Sequence, residues 1–353
     1  MAISGSVTRS SSLAAFPATF ALAATFALLQ GCEAEPAEVV NVYSHRHYET
    51  DQRLFERFTE FTGIQVRVVT ASADDLITRL ETEGEASPAD VLITVDAGRL
   101  HRAKERGLLR PTRSQVLESV IPAHLRDPEG YWFGLTVRAR VLAYSRERVD
   151  PSELSTYEAL ADPIWRGRVL SRSSENVYNI SLLASLIAAN GAAAAEAWAR
   201  AVVQNFGRAP QGSDRDQVLD VAAGVGDIAI VNTYYVGQLL NDPDLAVREL
   251  ASQVGIFFPN QVGRGAHANV SGAGVTAYAP NPVNATRLIE FLVSEEAQRS
   301  FAETVYEYPI REGVPTAATL EAWGDFRRDG LGLERLGELG SQAVEIFDRA
   351  GWR

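Results

Sequence analysis

Four tyrosines, two histidines and an arginine stand at three points where an apolar run gives way to a polar one. The run YSHRHYETDQ, residues 43–52, follows the strand-like VVNVY and carries His45, Arg46, His47 and Tyr48. Tyr178 lies in SRSSENVYNISLLAS, between GRVL and a helical pattern. Tyr234 and Tyr235 lie in GDIAIVNTYYVG, where the apolar IAIVN ends. The chain has five histidines in all, so the pair in this short run is a local concentration. A phenol is a poor ligand for most metals, because it must first lose a proton with a pKa of about 10. A hard trivalent cation can force that loss, since hard cations prefer oxygen donors and the ion's own charge inverts local pKa logic. A histidine with several tyrosines therefore suits ferric iron better than zinc, which favours His and Cys at close spacing. Taken singly, each residue has a plainer explanation. A tyrosine near a strand end is usually a half-buried rim residue with its hydroxyl in water, and His45 and His47 also fit a solvated loop.

The elements that must position these residues alternate. EVVNVYS reads as a strand and TDQRLFERFTEFTG as a helix, with Leu54, Phe55, Phe58 and Phe61 on one face, Thr50 or Asp51 as its cap and Gly63 as its stop. IQVRVVT, ADDLITRLETEG, ADVLITVD and AGRLHRAKERGLL continue the alternation as strand, helix, strand and helix. That is the βαβαβα order of a doubly wound α/β domain. GRVLSRS, GDIAIVN, QVGIFFPN and GAGVTAYAP repeat strand signals further on, and the Ala-rich stretch from Ile180 to Phe206 reads as one or two helices. The β-branched, Arg-rich segment 134–149, GLTVRARVLAYSRERV, has no turn signal and reads as a strand passing from one domain into another. Two α/β domains joined by crossover strands make a cleft. In open α/β sheets ligands sit beyond the carboxyl ends of strands, where helix N-termini also point. The three tyrosine-bearing junctions are of that kind.

At 353 residues the chain has room for about two domains. A formal charge of -12 argues against a nucleic-acid binder, which needs a basic stripe to displace counterions from phosphates. Residues 13–29 are uncharged and apolar, and they run into LQGC, ending at Cys32, the single cysteine. The run resembles a bacterial lipoprotein signal, 1–31, cut before a cysteine that takes a lipid and is followed by a polar tether, 32–37. The expectation is an exported protein tied to a membrane through Cys32.

YSHRHYETDQ, NVYN and NTYY together resemble the ferric-iron-binding periplasmic proteins of ABC iron-uptake transporters. PADVLITVDAGRL, GLTVRARVLAYSRERV, GDIAIVNTYY and YEYPI extend the likeness over nearly all of the chain after the N-terminal segment. The resemblance implies an α/β type II periplasmic binding protein with two doubly wound lobes, joined by crossover strands and separated by a ligand cleft. The lobe boundaries expected are 38–138 plus 263–313 and 139–262 plus 314–353. Tyr178, Tyr234 and Tyr235 match the family's iron-binding phenolates. The subgroup with an RHY motif adds Tyr48 and, in some members, His47. Arg138 matches an arginine that in some members holds a synergistic anion such as carbonate or citrate. Arg46 is a further candidate beside the site, since a guanidinium offsets phenolate charge. Glu175, before Tyr178, departs from the small polar residue expected there. The implied cargo is Fe3+, with Fe2+ left open, and the implied partner is an inner-membrane permease served by a monomer. An organic anion, a polyamine or a sugar on the same fold is the rival reading, with the tyrosines stacking on it and Arg138 pairing with a carboxylate. An enzyme ranks lowest, for no nucleophile with a base, no phosphate loop and no zinc spacing stands out.

Overall fold

Valine- and isoleucine-rich runs at regular intervals form one mixed sheet in the computed structural model, which describes residues 38–46 and 48–353. The signal segment, Cys32, the tether and His47 lie outside the described residues. The strands are β1 (Val39–Ser44), β2 (Gln65–Thr70), β3 (Val91–Thr94), β4 (Phe133–Ser145), β5 (Val169–Leu170), β6 (Ile228–Asn232), β7 (Val254–Phe257), β8 (Ala268–Val275) and β9 (Tyr308–Pro309). Their order is β2-β1-β3-β8-β4-β6-β5, and β7 and β9 also pair with β4. β1 is parallel to β2 and β3, while β8 closes the open edge of β3 in the antiparallel sense.

β4 is the long strand expected between the domains. All thirteen of its residues are buried. Phe133–Ala139 pairs with β8, and Arg140–Tyr144 pairs with β6, so the partner changes between Ala139 and Arg140. The strand carries Arg138 and Arg140 on one face, since successive side chains alternate. Both are within 2% of full burial.

The helix Glu49–Thr62 packs Leu54, Phe55 and Phe58 onto the core and stops at Gly63, whose φ of 76° is the left-handed conformation that glycine adopts without a Cβ clash. Two expectations for it change. Thr50 and Asp51 lie inside the first turn rather than at its cap. The Thr50 hydroxyl shares a 2.7 Å hydrogen bond with that of Thr304, and Asp51 pairs with Arg46. Phe61 is 81% exposed, so the apolar stripe outruns the surface beneath it. The Ala-rich stretch is two helices, Val177–Asn190 and Ala192–Gln204, parted at Gly191 with φ 82°. Among the described residues no helix is long and apolar enough to cross a membrane.

Candidate functional site

Each tyrosine sits at the start of a helix. Tyr48 precedes Glu49–Thr62 as its N-cap residue, and Tyr178 is the second residue of Val177–Asn190. Tyr234 and Tyr235 lie in the first turn of the helix Thr233–Leu240. Local chemistry fixes these starts. The Asn176 side chain accepts from the Tyr178 amide at 3.0 Å. The Thr233 hydroxyl accepts from the Ala139 amide on β4 at 3.3 Å. The Asn232 amide donates 2.8 Å to the buried Asp214 carboxylate. Helix N-termini carry partial positive charge, so three of them around one point favour an anionic phenolate there.

The four phenols converge. The Tyr178 and Tyr234 hydroxyls are 3.0 Å apart. The Tyr234 ring packs 4.2 Å from that of Tyr235 and meets Tyr48 edge-on at 6.4 Å between centroids. Tyr234 is 1% exposed and Tyr178 9%. The structure thus brings together Tyr48, Tyr178, Tyr234 and Tyr235, which lie on separate stretches of the sequence. His47 lies outside the described residues, Glu175 is exposed, and His45 is bonded through its backbone to Ile93 at 2.9 Å.

Arginines surround the phenols. The Arg138 guanidinium lies 5.3 Å from the Tyr178 ring centre, and those of Arg140 and Arg172 lie 5.8 Å from it. Arg46 lies 5.0 Å from the Tyr48 ring. Arg138 donates one bond, to the Ser271 hydroxyl at 3.2 Å, while its Nε and Nη2 are buried without a hydrogen-bond partner among the described residues. A buried guanidinium with two idle donors fits a small oxyanion. Burial works against its charge, but the neighbouring Tyr178 and Glu307 raise its pKa.

Arg46 is held differently. It contacts Asp51 at 3.0 Å, Glu307 at 3.3 Å and the Thr136 hydroxyl at 3.2 Å, and Thr136 in turn donates 2.5 Å to Glu307. Thr136 and Glu307 are site-supporting residues that the sequence does not single out, and Asp51, expected as a helix cap, is a third. Arg140, which is ion-paired to Asp214 and donates 2.7 Å to Asn179, is another. The signal for Arg140 is present: two arginines alternate in an otherwise apolar strand. Replacing Arg46 with Lys keeps the charge but loses the planar fork that reaches three partners at once. Urea denaturation of Arg46→Lys should show a loss of about 1–3 kcal/mol; an unchanged midpoint would mean that the pairs carry no net stability.

The phenols of Tyr48, Tyr234 and Tyr235 are held protonated. Burial pushes Tyr48 well above its ordinary value, with the Glu307 carboxylate adding to the effect and Arg46 opposing it. Tyr234 is raised well above its usual range by burial and by the neighbouring Tyr178 and Tyr48. Burial raises Tyr235 too. The pocket suits phenolate only when a strong cation is present to pull the protons off.

The pattern of the bacterial extracellular solute-binding protein family matches residues 86–327. Iron uptake protein A1 of Synechocystis is 50% identical over 89% of this chain and 87% of its own length. A Trichodesmium protein solved in complex with iron and citrate superposes with a TM-score of 0.85 at 48% identity, covering 89% of this chain and all of that one. The Mannheimia haemolytica ferric iron-binding protein A, solved in an open conformation, superposes with a TM-score of 0.80 at 38% identity, over 90% of this chain and 99% of that one.

Proposed function

This chain belongs to the bacterial extracellular solute-binding proteins and has the type II periplasmic binding protein fold, and from that premise we propose how it holds its cargo. It binds ferric iron in iron transport. The ion is held in the interlobe cleft by the phenolates of Tyr48, Tyr178, Tyr234 and Tyr235. The observation that carries this reading is the convergence of four buried or half-buried phenols from three helix N-termini, with arginines around them. Four phenolates exceed the charge of Fe3+ by one, and Arg46 and Arg138 offset the excess. The idle nitrogens of Arg138 offer a place for a synergistic anion such as carbonate or citrate. His47, one residue before Tyr48, is the candidate fifth donor.

The lobes are residues 38–138 plus 263–313 and 139–262 plus 314–353, a division supported by the change of pairing partner along β4. Tyr48 comes from the first lobe and the other three tyrosines from the second. Iron contacts both lobes only when they are together, so its binding favours the closed state. The loaded protein, a monomer tied to the membrane through Cys32, delivers iron to an inner-membrane permease.

The test is a visible spectrum of residues 33–353 titrated with ferric citrate. Phenolate-to-iron charge transfer should colour the solution orange to purple and saturate at one metal per chain. A colourless solution at stoichiometric iron would abandon the tyrosinate site and leave an organic anion as the cargo to screen.

A further inference from the structure

Opening the cleft must break whatever joins the lobes outside the metal site, and one buried asparagine there gathers four polar bonds. Asn269 lies on β8 directly across from Arg138 on β4, within the pair of crossover strands. Its side-chain amide donates 2.7 Å to the Asp96 carboxylate and 2.6 Å to the Ser181 hydroxyl, and its oxygen accepts from the amides of Ala97 at 3.1 Å and Val270 at 2.8 Å. Asp96 caps the helix Ala97–Glu105 of the first lobe. Ser181 sits on the helix Val177–Asn190 of the second lobe, one turn beyond Tyr178. Asn269, Asp96 and Ser181 are each at most 5% exposed. All the bonding capacity of the amide is used, and a single bond of the four, that to Ser181, reaches the helix that carries Tyr178.

The surroundings have the character of a seam that parts rather than a continuous core. Val95 of the first lobe packs on Val177 and Tyr178, with Tyr235 against them, as a cluster separate from the main core. A solvent-open groove of about 120 Å³ runs beside it, with Asp96, Gly98, Val177, Ser181, Leu336 and Gly337 among its lining residues. The two lobes leave a groove open to solvent here rather than a sealed interface. On its far side the short helix Glu334–Glu338 lies backbone to backbone on Ala97–Glu105. A Cβ on Gly98 would come within 3.1 Å of the Gly337 amide nitrogen, and one on Gly337 within 2.9 Å of the Gly98 carbonyl.

We infer that Asp96, Asn269 and Ser181 form a clasp across this seam that holds the lobes together and slows release of the cargo, with the Gly98–Gly337 contact as its close-approach surface. These are positioning residues: none of them faces the metal as a donor. Because the bond from Asn269 ends one turn from Tyr178, breaking it frees the helix that carries a ligand. A relative in this fold has been seen open, so the clasp acts on a state that the family adopts. The inference rests on the ferric reading for its kinetic part and is independent of it for its conformational part.

The experiment compares the parent with Ser181→Ala, Ser181→Thr and Gly337→Ala. Small-angle X-ray scattering of the metal-free proteins should give a larger radius of gyration for Ser181→Ala and Gly337→Ala than for the parent, with Ser181→Thr restoring the parent value. Iron release to excess chelator should be about tenfold faster in Ser181→Ala, the scale of one buried hydrogen bond, with the charge-transfer band unmoved. Equal radii and equal release rates in the parent and Ser181→Ala would overturn the clasp. If the parent takes no colour at all, the tyrosinate reading fails while the scattering comparison still decides the clasp. Should Gly337→Ala fail to fold, Ser181→Ala answers alone.

Discussion

Tyr234→Phe and Tyr235→Phe each abolish most of the charge-transfer colour and weaken ferric iron binding by more than 100-fold. That expectation follows from what the substitution removes. The rings of Tyr234 and Tyr235 pack 4.2 Å apart, and Phe preserves that contact and the edge-on approach of Tyr48. What disappears is a hydroxyl and, for Tyr234, its 3.0 Å bond to Tyr178. Loss of one such bond costs the fold about 1 kcal/mol, too little to unfold a domain of this size. Loss of a metal donor is worth more than loss of a group that only supports one, which already costs about 10–100-fold in affinity. A stacking site for an organic cargo would keep most of its affinity in both variants, because the ring areas survive. Competition against a chelator of known strength measures the effect, and parent-like iron affinity in Tyr234→Phe would remove that residue from the ligand set.

Iron binding is also expected to weaken steeply as the pH falls. Tyr48, Tyr234 and Tyr235 have their phenols raised above the usual value of 10 by burial first and by neighbouring tyrosines and carboxylates second. At neutral pH all three hold their protons in the metal-free protein. Each must release one to become a ligand, so binding expels at least three protons per iron. The sign is fixed: lower pH supplies the product of that exchange and drives the metal off. Three protons correspond to about a thousandfold in affinity per pH unit, since one unit is worth tenfold for each proton released. Calorimetry in buffers of different ionisation enthalpy counts the protons, once those of the iron donor are subtracted. A count of one or none would show that the phenols do not ionise on binding. The same exchange gives acid, or a reductant that makes the weaker partner Fe2+, a way to empty the site.

The sequence exposes the parts of this site that are local and hides those that are not. Tyr48, Tyr178 and Tyr234–Tyr235 are legible because each stands at a strand-to-helix junction, and such junctions face the cleft of an α/β fold. The long β4 is legible because thirteen residues without a turn signal leave few alternatives. The Arg46 cluster is not. Its partners Thr136 and Glu307 are far away in the chain, and only strand pairing brings them together: β9 lies beside β4 with Thr136 opposite Pro309. Glu307 and Tyr308 are adjacent in YEYPI, and alternation along the strand sends only one of them toward Arg46. Asp51 misleads in the other direction. Its position next to a helix start reads as a cap, and the pull of a buried guanidinium takes its carboxylate elsewhere. Asn269 gives no signal at all, because an asparagine at a strand start is ordinary until its neighbours from two lobes are in place.

The closing of β3 by β8 sets the order in which the molecule can be made. A chain that emerges N-terminus first presents β1, β2 and β3 early, with Leu92 and Ile93 beside an unpaired edge. The strand that covers that edge, Ala268–Val275, arrives only after the whole of the second lobe's sheet strands. Until then the first lobe is an open template for other chains. Non-local pairing of this kind is slow to form. Its early half therefore depends on its late half, and the two ends of the sheet cannot be built one at a time.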